Sequence, residues 1–207
     1  WNLQAGGKYY VIRNGSSIIA FRIPTAEWKG FQIMASHSDS PMFKIKENPE
    51  MEAEGHYVKL NVEKYGGMLC APWFDRPLSV AGRLVVKEGN QIVTKLVDVK
   101  KDLVMIPSLA IHMNRDANNG VKFNPQKDLL PLYGDETAKG TFMARIAELA
   151  GVTENDILAH DLYVYSRTPG SVWGASEEYI SCGRLDDLQC AFSSLEGFLH
   201  AKDGERI

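Results

Sequence analysis

The stretch Phe31-Gln32-Ile33-Met34-Ala35-Ser36-His37-Ser38-Asp39-Ser40-Pro41 decides how this chain is read. Its first six residues, following Gly30, form a short apolar run of the kind that fills a buried central strand. The run stops abruptly at polar His37, Ser38 and Asp39. In open α/β sheets, ligands bind just beyond the carboxyl ends of central strands. A metal-bound imidazole commonly gives its second N–H to a carboxylate or carbonyl, which fixes its tautomer and basicity. His37 and Asp39, two residues apart at such an edge, are therefore a candidate metal-binding pair. In an ordinary loop the same triplet is a histidine beside a turn-capping aspartate. It gains meaning only with a partner elsewhere in the chain.

Upstream, Tyr9–Arg13 and Ser17–Ile23 flank Asn14-Gly15. Asn-Gly supplies the two positive-φ positions of a type I′ turn, so this segment reads as a β-hairpin. Downstream, Phe43-Lys44-Ile45-Lys46 alternates like a half-buried strand. From about residue 57 the texture changes. Residues 57–65 alternate, Gly66-Gly67 breaks the pattern, and Leu78–Lys87 turns at Gly89-Asn90 into Gln91–Val99. Such a run of strands and short turns favours a compact β-rich domain. Residues 114–127 are polar and Asn-rich and read as a long loop. Thr141–Ala150 has helical spacing at Phe142, Ile146 and Leu149, with Gly151 placed to end it. Asp161–Tyr165 reads as a strand. These features predict an α/β chain with a discontinuous catalytic domain. Residues 1–56 begin it, a β-rich insert fills 57–160, and residues 161–207 resume it.

The partner for His37 is sought in Gly183-Arg184-Leu185-Asp186-Asp187-Leu188. Leu188, Ala191, Phe192, Leu195, Phe198 and Leu199 fall at helical spacing, so Asp186 and Asp187 stand where carboxylates complement the helix dipole. Locally this is a helix cap. Chemistry needs the pair of segments: one carboxylate bridging two divalent ions about 3.5–4 Å apart offsets their repulsion and lets both polarise one water. Imidazole with carboxylate suits zinc, and also manganese or cobalt. A third segment, Ile106-Pro107-Ser108-Leu109-Ala110-Ile111-His112, holds a histidine whose local reading is structural. His56, His160 and His200 read as surface or structural residues. Trp73-Phe74-Asp75-Arg76-Pro77 reads as a packed turn.

Composition excludes several classes. Of the 207 residues, 44% are hydrophobic and 24% charged, an ordinary globular balance. A net charge of −3 with interleaved signs gives no footprint for nucleic acid or an anionic membrane. Cys70, Cys182 and Cys190 are odd in number and lack metal-finger spacing, which argues for a reducing, cytoplasmic setting over a disulfide framework. No run has the length of a membrane span, and no signal peptide is visible. There is no Gly-x-Ser-x-Gly elbow, phosphate loop or dinucleotide fingerprint. The opening at Trp1 without methionine, and the close on Asp203–Ile207 as a turn toward a further strand, suggest a piece of a longer protein.

Five strings in order resemble the aspartyl aminopeptidase family of dinuclear-metal peptidases. They are Ala35–Pro41; Tyr65-Gly66-Gly67; Trp73–Leu78 with Ala81-Gly82-Arg83; Ile106–His112; and Arg184–Leu188. The resemblance implies an α/β catalytic domain with an inserted β-rich dimerisation domain. It implies that His37 binds one metal ion, that Asp39 is the catalytic carboxylate orienting it, and that Asp186 bridges two ions, zinc above all. It implies that His112 reaches a neighbouring subunit's active site to hold substrate, and that dimers assemble into a tetrahedral dodecamer. The implied reaction is removal of N-terminal residues, usually Asp or Glu, from peptides. The general base, the first of two adjacent glutamates, and the remaining ligands are expected beyond Ile207, which would leave these residues inactive alone. Two positions depart from the family pattern: Ser108 stands where a histidine is usual, and Asp187 where an asparagine is usual. The competing expectations are a peptidase preferring neutral residues and a scaffold that keeps the fold without catalysis.

Overall fold

The computed structural model describes residues 2–25 and 27–202. The expected turn at Asp203–Ile207 and the opening Trp1 lie outside the described residues. The chain divides into two compact units, Trp1–Ser40 with Ser181–Ile207, and Pro41–Ile180. Residues 57 and 161, where the sequence changes texture, both fall within the second unit. At the first, the chain only turns a hairpin; at the second, it runs through a sheet strand.

In the first unit, β1 (Lys8–Arg13) pairs antiparallel with β2 (Ser17–Arg22). Asn14 and Gly15 take φ of 52° and 66°, and Ser16 N–H donates to Arg13 C=O, the turn that Asn-Gly predicts. α2 (Leu185–His200) supplies the predicted helix. Lys8 and Arg22 donate to carbonyls at its C-terminal end, Leu199 and Ala201, where the helix dipole favours cations. The predicted central strand at 31–36 is not formed. Phe31 and Ile33 are 79% and 83% exposed, and none of the described strands pairs with the segment. A central strand is defined by hydrogen-bonded neighbours on both sides, and an apolar run alone does not create them. The apolar stripe of α2, Leu188, Phe192, Leu195 and Leu199, is likewise exposed.

The second unit is built on a six-stranded antiparallel sheet. In chain order its strands are β3 (Met42–Ala53), β4 (Tyr57–Tyr65), β5 (Leu78–Glu88), β6 (Gln91–Asp98), β7 (Leu132–Asp135) and β8 (Ile157–Ser166). The spatial order is β6-β5-β8-β3-β4-β7. Alternation decides which face is buried: Phe43 and Ile45, Leu60 and Val62, Leu84 and Val86, and Leu162 and Val164 all point into one core. A separate two-stranded pair joins β9 (Ser171–Trp173) to β10 (Tyr179–Ser181). α1 (Phe142–Ala150) buries Phe142 and Ile146 in the core, while Leu149 is 49% exposed, and Gly151 caps it with φ 66°. Its N-cap Thr141 makes no side-chain cap bond. The orphan N–H of Phe142 goes instead to Glu50 of β3, whose second carboxylate oxygen accepts from Gly140 just before the cap, at 2.7 and 2.6 Å respectively. Residues 114–127 form a loop with one short 3-10 turn, Ala117–Asn119.

No helix among the described residues is long and apolar enough to cross a membrane. All three cysteines are free thiols.

Candidate metal centre

His37 and Asp186, far apart in the chain, meet within the first unit. His37 Nδ1 lies 3.0 Å from the Asp39 carbonyl oxygen and 3.1 Å from Asp39 Oδ1. Both are acceptors, so Nδ1 carries the proton and Nε2 is turned outward. Nε2 faces Asp186 Oδ1 at 3.3 Å. The Asp39 carbonyl, with the charges of Asp187 and Asp39, raises the His37 pKa from 6.5 against a desolvation effect that lowers it.

The helix that carries the carboxylates is broken where they stand. Asp186 (φ −88°, ψ 110°) and Asp187 (φ −120°, ψ 27°) are non-helical, and the peptide bond between them is cis. Extended backbone at Asp186 takes its side chain out of helical register, so it serves the neighbouring loop rather than the helix end. The Asp186 side chain is 88% exposed, whereas that of Asp187 is 17% exposed. Asp187 Oδ2 accepts the His37 backbone N–H at 3.2 Å. Its carboxyl is held below the usual 3.8 by hydrogen bonds from the Cys190 thiol and the His37 backbone, and in return it raises the thiol's pKa. Buried Ser40 adds a second tie, its hydroxyl donating to the Asp186 carbonyl at 3.1 Å.

This arrangement suits a cation. In neutral His37 the Nε2 lone pair confronts a carboxylate oxygen, two electron-rich atoms that only a proton or a metal ion can reconcile. Zinc bonds of about 2.0–2.1 Å in tetrahedral geometry separate neighbouring donors by about 3.4 Å, close to the distance found. Three carboxylates face at most one imidazolium, so the cluster keeps a negative charge. Among the described residues no three His, Cys, Asp or Glu side chains form a group able to enclose a metal ion. His37 and Asp186 bring one imidazole nitrogen and one carboxylate oxygen to 3.3 Å, a separation that one cation could span.

The other predicted residue, His112, belongs to the second unit and is exposed in a turn closed by Met113 N–H on Ala110 C=O. The segment leading to it is latched. Asp75, in the left-handed region at φ 56°, donates its N–H to Ile106 C=O at 2.9 Å. Its carboxylate accepts Ser108 N–H at 2.9 Å and Ser108 Oγ–H at 2.6 Å. The packed turn is real: Trp73 meets Phe43 edge-on, and Phe74 stacks near Phe123. His160 sits on β8 with both ring nitrogens buried and unpartnered, and burial lowers its pKa. Sequence reasoning missed Ser40, whose hydroxyl gives no periodic signal, and the difference in exposure and partners between adjacent Asp186 and Asp187.

The chain matches the family profile described as "Aminopeptidase I zinc metalloprotease (M18)" over residues 1–207. It is 44% identical to "Probable M18 family aminopeptidase 2" of Clostridium acetobutylicum, over 99% of this chain and 49% of that protein. Among solved structures it is similar to mApe1 of Chaetomium thermophilum, with TM-score 0.84 and 31% identity over 98% of this chain and 49% of that one. It is also similar to the S. cerevisiae mApe1 dodecamer, with TM-score 0.74 and 27% identity over 94% of this chain and 44% of that one. The chain spans about half the length of the curated relatives it matches.

Proposed function

The chain belongs to the aminopeptidase I zinc metalloprotease (M18) family, and from that premise we propose that it supplies the first part of the active site of a metal-dependent aminopeptidase. The observation that carries this reading is His37 Nε2 set 3.3 Å from exposed Asp186, with its other nitrogen fastened to Asp39. His37 and Asp186 would hold the metal, with Asp186 as the ligand that two ions would share. Asp39 acts through His37: by accepting from Nδ1 it fixes the tautomer, keeps Nε2 available and raises its donor strength. Metal ions bound here supply Lewis acidity, polarising the scissile carbonyl and lowering the pKa of water. The remaining ligands, and the glutamate that moves the proton from water to the leaving amine, come from residues outside this chain.

The whole enzyme removes N-terminal residues from peptides, acidic ones by preference, in the cytoplasm. Zinc is favoured because imidazole and carboxylate suit it, with manganese and cobalt as alternatives. His112, presented by the inserted β-rich domain, reaches a neighbouring subunit's active site, and dimers assemble into a dodecamer of the kind seen for the yeast relative.

The test is made on the full-length protein. Metal content is measured by mass spectrometry, and turnover is measured on aspartyl, glutamyl, leucyl and alanyl amides. We expect two metal ions per subunit, faster cleavage of the acidic amides, and loss of metal and turnover in His37→Ala and Asp186→Ala. Retention of full metal content and activity in both variants would overturn the reading. Leucyl or alanyl amides cleaved faster than acidic ones would replace the acidic preference with a neutral one. Metal-free, inactive protein with the fold intact would favour a scaffold.

A further inference from the structure

We propose that Asp187 is a positioning residue of this centre: its carboxylate fastens the segment carrying His37 to the first turn of α2 and so sets His37 Nε2 against Asp186. The inference rests on His37 and Asp186 being metal ligands.

Asp186 and Asp187 are neighbours of identical chemistry in opposite situations. Asp186 is 88% exposed, with Oδ1 3.3 Å from Nε2, while Asp187 is 17% exposed, with Oδ2 farther from Nε2 at 3.8 Å and taken up by the His37 N–H. Asp187 Oδ2 accepts the His37 N–H at 3.2 Å, and Asp187 itself stands in the first turn of α2. The Asp187 carboxylate, whose Oδ2 is already engaged by the His37 N–H, is less free than that of Asp186 to bind metal. It ties the residue that bears the imidazole to the helix that bears the bridging carboxylate. Ser40, donating to the Asp186 carbonyl at 3.1 Å, ties the same two segments three residues further on. With the loop held at both points, only the His37 side-chain torsions remain to be fixed, and Asp39 fixes those through Nδ1.

An asparagine at position 187 keeps an amide oxygen for the His37 N–H, so the fastening survives either residue. The aspartate adds a charge, which strengthens the acceptor.

The test uses the full-length protein, zinc alone as the probe, and a competing chelator to measure zinc dissociation. Thermal unfolding of the metal-free protein is measured in parallel. Asp187→Ala should weaken zinc binding by about 10- to 100-fold, the range typical of lost outer-shell partners. Asp187→Asn should stay within about threefold of the parent, because the bond to His37 N–H is kept. Should the alanine variant fail to fold, Asp187→Ser takes its place with the same expectation. Zinc binding undiminished in the alanine variant overturns the inference, even where its metal-free unfolding temperature falls. So does an asparagine variant as weak as the alanine one, since charge alone would then matter. His37→Ala separates the two levels. If it binds zinc like the parent, the metal-centre reading fails and this inference with it. If it loses zinc while Asp187→Ala does not, only the role of Asp187 is wrong.

Discussion

Gly82→Ala is the sharpest structural test of the sheet on which the second unit rests. Gly82 stands in β5 opposite Leu162 of β8, with Ala81 facing Tyr163 and Arg83 facing Asp161. A Cβ there would lie 2.0 Å from the Asp161 carbonyl oxygen and 2.9 Å from Leu162 Cα, both backbone atoms. A close carbon–oxygen contact is about 3.3 Å, so the two strands must separate by about 1.3 Å. That opening stretches the ladder bonds on either side, at about 1 kcal/mol each. It also loosens Val80, Leu84, Leu162 and Val164, all at 0% exposure. A gap of 0.5–1 Å forfeits about a quarter to a half of each dispersion contact. With the φ of +158° also unsuited to a side chain, the sum is about 3–5 kcal/mol. At about 2–4 °C per kcal/mol for a domain of this size, the unfolding temperature should fall by about 6–20 °C. Gly89→Ala is the control: its φ is +59° but nothing lies within 4 Å, so only conformational strain of about 1 kcal/mol is expected. Circular dichroism melts and urea titrations of the full-length protein make the comparison. Equal destabilisation by the two substitutions would refute the reasoning, because contact would then contribute nothing.

Further outcomes follow from other contacts. Glu50→Ala should cost about 1–2 kcal/mol in urea unfolding, since Gly140 and Phe142 lose their N-terminal acceptor, while a cost near zero would show that water replaces it. Asp161 is held below its usual 3.8 by Lys44 first and Arg83 next, against burial that raises it. A depressed folded-state pKa stabilises above the unfolded value and is lost as pH falls through the folded one. Asp161→Asn should therefore cost about 1 kcal/mol at neutral pH, discounted for its partial exposure. That deficit should shrink as the pH drops below 3.8; a deficit independent of pH contradicts the assignment. Ser108→Ala should move the Asp75 carboxyl back up toward 3.8, because the Ser108 hydroxyl is the leading cause of its depression. Carbon-13 NMR titration reads this directly, and an unmoved resonance would remove Ser108 from the latch.

Much of the architecture was legible because it is written in local periods. Alternation in β3, β4, β5, β6 and β8 fixes the buried face of each strand, and Asn14-Gly15 fixes the first turn. The 3.6-residue spacing of Phe142 and Ile146 fixes α1 against the core. Other features carry no such period. β7 is four residues long and forms by pairing with β4, where Tyr57 faces Asp135. Glu50 caps a helix about ninety residues away. The apolar run at 31–36 satisfied the local criterion for a buried strand and yet is exposed, because burial depends on partners that the run does not itself specify.

The candidate centre divides in the same way. Sequence by itself named His37, Asp39 and Asp186 through residue type, spacing and the order of five motifs. Only the family resemblance separated Asp186 from Asp187, since two adjacent aspartates before a helix have the same local chemistry. The tertiary structure adds the geometry: Asp186 Oδ1 lies nearer the imidazole Nε2, at 3.3 Å, while Asp187 Oδ2, 3.8 Å from it, accepts the His37 N–H. Residue types determine which groups can hold a cation or a proton; the distance between them across some 150 positions is set by loop and helix meeting in space, and no pattern within either segment encodes it.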